Sequence, residues 1–207
     1  MAKTKSLTIV ENPLLDQRQM AMLVQKTPKV HIKEREGRGK KTFRYVSGSY
    51  VTTRLNEIFG WLWTFEVKEH GKSPTGASVW VLGRLTVSMM VPTKWGLVNR
   101  VDESDGKKIY VQDRVILEQQ QVQVAVKEQF GGADIKRERG SGIEVDYADD
   151  LKAAATDALK KCASSLGIAA DIYSDPETSE MIQSKVSAVV EYMKSQQEQT
   201  QKEQDAN

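Results

Sequence analysis

The run DDLKAAATDALKKCASSLG, residues 149–167, decides the fold. Its apolar residues recur at helical spacing, which predicts a helix from about Asp150 to Leu166 capped by Gly167. At about 100° per residue, Leu151, Ala155, Ala158, Leu159, Cys162 and Leu166 share one face. Ala153, Asp157, Lys160 and Ser164 lie opposite, with Lys161 at the edge, so both lysines project from the outward half. Small Ala153 and Ser164 leave room there for an extended backbone to approach. The charge pattern by itself is that of a solvated polar face. Cys162 lies on the apolar face and reads as a small buried hydrophobe rather than a reactive thiol.

Working outward, the helix follows a polar loop, GGADIKRERGSG (131–142), and three extended runs: WLWTFEVKE (61–69), SVWVLGRLTVSMMV (78–91) and KKIYVQDRVILEQQQVQVAVKE (107–128). HGKSPTG, PTKWG and DESDG supply the turns. The third run exceeds an ordinary strand and is predicted to break or bend near Glu118 to Gln121. Upstream, Ser49 to Phe59 reads as a helix with Val51, Leu55, Ile58 and Phe59 on one side and Gly60 at its end. Before it, Val30 and Ile32 alternate with polar residues, GRGKK turns, and Phe43, Tyr45 and Val46 resume extended structure, a β-hairpin with a basic tip. Pro13 to Lys26 carries a short amphipathic helix that Pro28 stops.

Residues 174–195 form a further helix with apolar Met181, Ile182, Val186, Val189, Val190 and Met193, and 196–207 are a polar, low-complexity tail read as disordered. The organisation is an N-terminal helical segment (1–27), a core (28–173), the C-terminal helix and the tail. Helix, hairpin, helix, strand meander and helices make an α+β pattern, with helices packed on one face of an antiparallel sheet.

Composition narrows the function classes. A single cysteine among 207 residues removes intrachain disulfides and cysteine-based zinc sites and suits a reducing compartment. No run approaches the roughly 18 apolar residues of a membrane span, and the N-terminus lacks a signal-peptide pattern, which predicts a cytoplasmic protein with no membrane partner. Two histidines, His31 and His70, form no metal-ligand spacing. GRGKKT (37–42) imitates part of a phosphate loop, but Glu34 stands where its first glycine is required and a strand follows, so neither ATP nor another cofactor is expected. Asp146, Asp149 and Asp150 cluster, and Asp149 and Asp150 suit a helix N-terminus through its dipole. The alternative is a magnesium-dependent nuclease, which would need them converging in a pocket. No catalytic residue is assigned, so the chain reads as a binding protein rather than an enzyme.

Charge is distributed unevenly. Residues 26–44 hold eight basic and two acidic residues (8 − 2 = +6), and 171–207 hold three basic and eight acidic (3 − 8 = −5), against +2 overall. Aromatics crowd residues 45–67: Tyr45, Tyr50, Phe59, Trp61, Trp63 and Phe65, with Arg54 among them. Aromatic faces beside cations suit single-stranded nucleic acid, whose bases stack and whose phosphates pair with Lys or Arg. Phe59, Trp63 and Phe65 fit core positions, whereas Trp61 and Tyr50 do not fall clearly to either role.

Two of these stretches resemble a known family. YVSGSYVTTRLNEIFGWLW (45–63) resembles the first signature of the Rad fifty-two family of single-strand annealing proteins, and DDLKAAATDALKKCASSLG resembles its second, about a hundred residues on and in the right order. The short chain is most similar to phage Sak-like and bacterial members. The resemblance implies ATP-independent binding of single-stranded DNA and annealing of complementary strands in recombination and repair. It implies a homo-oligomeric ring of roughly ten or more subunits, with a basic groove floored by the second-signature helix and overhung by the basic hairpin.

On that resemblance Lys160 and Lys161 match the paired basic DNA contacts, and Trp61 the aromatic after Phe-Gly. Lys33, Arg35, Arg38, Lys40 and Lys41 match the basic hairpin by region. The chain departs from the signatures in having Tyr50 where a basic residue is common, with Arg54 one turn later as its substitute, and Ser164 after the lysine pair. Lys136, Arg137 and Arg139 in the preceding loop are the candidates for outer basic contacts. The acidic C-terminal segment is a candidate site for a host single-strand-binding protein.

Overall fold

The computed structural model describes residues 15–36, 42–104, 107–175 and scattered positions from 177 to 195. The first helix, α1 (Gln17–Leu23), begins with a capping box: Asp16 accepts from the Gln19 amide at 2.7 Å, and the Gln19 side chain accepts from the Asp16 amide at 2.9 Å. A 3-10 turn (Lys29–His31) leads into the hairpin β1 (Lys33–Glu36) and β2 (Thr42–Tyr45), which pair antiparallel with Lys33 opposite Tyr45 and Arg35 opposite Phe43. The basic hairpin tip, with Arg38, Lys40 and Lys41, lies outside the described residues.

Helix α2 (Gly48–Phe59) is capped by the Ser47 side chain and ends at Gly60, whose φ of 64° suits a residue without a Cβ. It buries Val51, Leu55, Ile58 and Phe59, the face predicted from sequence. Strands β3 (Trp63–Lys72), β4 (Ser78–Ser104) and β5 (Lys107–Asp134) form an antiparallel sheet in the order β3-β4-β5. Helix α3 (Tyr147–Ser164) packs on that sheet, and the short α4 (Ala170–Tyr173) follows. The expected α+β architecture, helices on one face of an antiparallel sheet, is the one observed.

Two expectations need correction. PTKWG is not a turn: β4 continues through it, with Pro92, Lys94 and Trp95 still paired with β5 and Thr93 bulged between them. By that point β4 has lost β3 as a neighbour, since their pairing ends at Trp63 and Val87, so among the described residues Pro92 sits on a strand edge with no partner, where a missing N–H is tolerated. Likewise β5 continues to Asp134 and takes in glycines assigned to a loop. Its great length is accommodated by register shifts opposite Val87/Ser88 and at Pro92 to Trp95, the last beside Glu118 where the bend was predicted.

The core lies between α2, α3 and the sheet. One cluster joins Val46, Val51, Leu55, Ile58, Leu85, Val87, Cys162 and Ile168; a second joins Val79, Val81, Ile135, Ala154 and Ala158. Helix α3 comes unusually close to β5 because both surfaces are small. A Cβ on Gly131 would land on the Ala154 carbonyl and the Ala158 amide. Phe59 is buried, Trp63 donates its indole N–H to Asn56 Oδ1 at 2.7 Å, and Phe65 packs against both clusters, so these three aromatics are structural.

Cys162 is buried, its Sγ within 3.4 Å of the Lys127 carbonyl, and burial pushes its thiol pKa up. The described positions from 177 to 195 are helical, and the Asp175 carboxylate accepts from the Thr178 amide at 2.8 Å. Among the described residues no helix is long and apolar enough to cross a membrane.

Candidate nucleic-acid interface

A groove of about 860 Å³ runs between the hairpin and α3. Arg35, Phe43, Arg44 and Tyr45 form one wall; Ala153, Thr156, Asp157 and Lys160 of α3 form the other. Residues directly opposite across an antiparallel pair share a face, so Lys33, Tyr45, Arg35 and Phe43 stand together on one side of the hairpin, and Glu34 with Arg44 on the other. The basic residues of β1 are therefore each matched with an aromatic of β2. Across the groove the Lys160 ammonium lies 5.5 Å from the centre of the Tyr45 ring. The hairpin is fixed to the core at its exit, where the Val46 amide donates to the Tyr173 hydroxyl at 3.1 Å.

Three acids along α3 are paired, whereas the hairpin cations have no ion pair among the described residues. Asp157 accepts from Lys161 at 3.0 Å and from the Gly132 amide at 3.1 Å. Asp149 pairs with Lys152 at 3.2 Å, and its amide is capped by Asp146. Asp150, 1% exposed, accepts from the Lys136 amide at 3.0 Å, with the Lys136 ammonium 3.9 Å from its other oxygen. Lys33, Arg35 and Arg44 have no ion pair among the described residues. Burial pushes the Lys160 pKa below the usual lysine value; Asp157 opposes the shift, and nearby Arg35 and Lys33 add to it. A cation crowded by other cations and partly desolvated is held ready for an anion from solution.

The two lysines of α3 diverge. Lys160 faces the hairpin, but Lys161 donates to the Phe130 carbonyl at 3.0 Å and pairs with Asp157, stapling α3 to β5. Lys161 was expected at the edge of the outward half, and its partners on β5 and one turn back along α3 draw its ammonium away from the hairpin. Arg54 is also drawn away: its side chain, 12% exposed, donates to the Met22 carbonyl at 2.6 Å and pairs with Glu57 at 2.7 Å, joining α1 to α2. Tyr50 is half-buried, 4.7 Å from the His31 ring, and burial raises its pKa. Trp61 is 84% exposed on the turn after Gly60 and does not line the groove.

In the loop, Lys136 lines the groove, whereas Arg137 is held by the Gly142 and Gly76 carbonyls and Glu144. Arg139 is exposed, away from the groove lining. Sequence reasoning missed Tyr45 and Phe43 as groove residues and Arg44 and Lys152 as cations. The signal lay in period-two alternation with the hairpin register, which sets Tyr45 beside Lys33 and Phe43 beside Arg35.

The first-turn acids are occupied in capping and ion pairs. Among the described residues no group of three or more His, Cys, Asp or Glu is placed to hold a metal ion. What the groove offers is a strip of cations and aromatic faces matched to a flexible polyanion carrying bases. No curated protein matches the chain. Residues 16–190, which contain the hairpin, the sheet and α3, match the family described as Rad52/22 family double-strand break repair protein. The chain belongs to the Rad52/22 family.

Proposed function

We propose that this protein binds single-stranded DNA along the groove between α3 and the hairpin and anneals complementary strands without ATP. One observation carries the reading: Lys33 and Arg35 lie near Lys160, which sits over the Tyr45 ring, and none of the three has an ion pair among the described residues, while Asp149, Asp150 and Asp157 are already paired. Phosphates meet Lys160, Arg35 and Lys33 on the inner side of the strand. Tyr45 and Phe43 offer faces on which bases stack. Base edges remain turned outward and available for pairing, and binding is independent of sequence because phosphates carry none. The activity is binding and pairing, with no bond made or broken.

One groove supplies few charges, so a long strand is held by copies acting together in a ring, where effective concentration replaces single-site affinity. Within the family we place the chain with the phage and bacterial annealing proteins acting in recombination. The acidic segment after Asp171 is then the recruiting surface for a host single-strand-binding protein. Lys160 carries the inner contact, with Lys136 and the hairpin tip extending it; Lys161 is secondary because its ammonium already serves Phe130 and Asp157.

The test is fluorescence anisotropy with a labelled single strand, paired with an annealing assay on two complementary oligonucleotides. The wild type binds and speeds pairing. A protein that binds but slows pairing is a passive single-strand-binding module instead, and magnesium-dependent cleavage lost on Asp149→Ala would make it a nuclease.

A further inference from the structure

The hairpin that walls the groove carries no core of its own among the described residues: every position of β1, and all of β2 except the half-buried Tyr45, is exposed. A two-stranded ribbon is marginal in water, so its place over α3 has to be fixed from outside, at its two ends. At the entrance, Thr27 lies just ahead of the 3-10 turn that leads into β1. It is 6% exposed and gives both of its donors to Asp171: the amide reaches Oδ2 at 3.1 Å and the hydroxyl reaches Oδ1 at 2.7 Å. At the exit, fully buried Val46 gives its amide to the Tyr173 hydroxyl. Both acceptors belong to α4, a single helical turn.

Helix α4 is rooted in the core where the hairpin is not. After α3 the chain reverses through Gly167, at φ 116°, and Ala169, at φ 56°. A Cβ on Gly167 would come within 3.0 Å of the Leu23 carbonyl, so glycine lets this turn press against the end of α1. Ile168 and Ala169 belong to the larger core cluster, and Ile172 and Tyr173 pack against it. The segment that ends the groove helix therefore holds the core with its apolar side chains and both ends of the hairpin with its polar ones.

The groove depends on this arrangement. Ile172 and Tyr173 line it together with Tyr45 and Lys160, and the bond from Val46 to Tyr173 comes one residue after Tyr45, whose ring faces the Lys160 ammonium. A hairpin released at either end carries Lys33, Arg35 and Tyr45 away from Lys160, and a strand then meets only the docked fraction of molecules.

We propose that Asp171 and Tyr173 are positioning residues of the groove: α4 clips both ends of the hairpin to the core and so sets the separation of its cations from α3. The assignment rests on the DNA reading above.

The test is amide hydrogen exchange of the full chain, with anisotropy titration of a labelled single strand, on wild type, Tyr173→Phe, Thr27→Val and Thr27→Ser. Tyr173→Phe and Thr27→Val should speed exchange in residues 33–36 and 42–45 and leave α3 protected. Each should weaken strand affinity by about three- to ten-fold, the scale of one hydrogen bond lost from the docked state. Thr27→Ser keeps the hydroxyl that Asp171 accepts and should restore both readouts to wild-type values. Hairpin exchange unchanged in both variants, or faster exchange with affinity intact, overturns the positioning role. Exchange raised equally in α3 by both variants makes the two groups merely structural and overturns it too, as does a Thr27→Ser that behaves like Thr27→Val. A wild type without affinity for the strand overturns the DNA reading itself, and the positioning role with it.

Discussion

At the residue scale the groove centres on Lys160, whose chemistry gives a pH signature. Its pKa is lowered in the folded chain, mainly by burial, so between the folded and unfolded pKa values the unfolded chain binds more protons. Stability therefore rises with pH across that window, and the charged lysine is a burden on the fold below it. Lys160→Met should leave thermal stability unchanged or raised by about 1 kcal/mol, measured by calorimetry at neutral pH. Single-strand affinity should nonetheless fall about ten-fold or more, the scale of one charge-assisted contact. In the wild type, affinity should decline as pH climbs through the depressed Lys160 pKa, earlier than an ordinary lysine would dictate, and this early decline should vanish in Lys160→Met. Arg54 behaves oppositely. Arg54→Ala removes its bonds to Met22 and Glu57, and should cost about 1–3 kcal/mol in denaturant melts while folded protein retains its single-strand affinity.

At the element scale, the position of α3 against β5 sets the groove, and Gly131 sets that position. Gly131→Ala drives a methyl into the backbone of α3 at Ala154 and Ala158. It should destabilise by about 2–3 kcal/mol, read by chemical denaturation, and weaken single-strand binding as α3 shifts from the hairpin. Much of this element was legible in sequence, because helical periodicity around Ala158 and Cys162 reports burial directly. The helix start was less so: α3 begins at Tyr147 rather than near Asp150, because the Asp146 side chain reaches the Asp149 amide and caps it. Strand continuity was hidden for a different reason. Pro92 and Gly96 read locally as turn residues, but pairing with β5 keeps them extended, and among the described residues no strand on the other edge of β4 needs the N–H that Pro92 lacks. The partners of Lys161 and Arg54 were equally invisible, because each lies on an element distant in sequence, Phe130 for one and Met22 for the other.

At the scale of the whole molecule, β4 and β5 extend past the three-stranded sheet as a pair, and a groove of cations and aromatics lies between α3 and the hairpin. Holding DNA through phosphates makes binding depend on salt: log affinity should fall linearly with log salt, and removing the Lys160 contact should shallow that slope by about 0.7 for a single strand. Titrations at several salt concentrations with wild type and Lys160→Ala measure it. The most direct test of the central claim is the rate at which two complementary oligonucleotides pair, without ATP, in the presence of wild type and of Lys160→Ala/Tyr45→Ala. The wild type should accelerate pairing well above the spontaneous rate, and the folded double variant should return it to that rate. Acceleration undiminished in the double variant, or pairing slowed by the wild type, would contradict that claim.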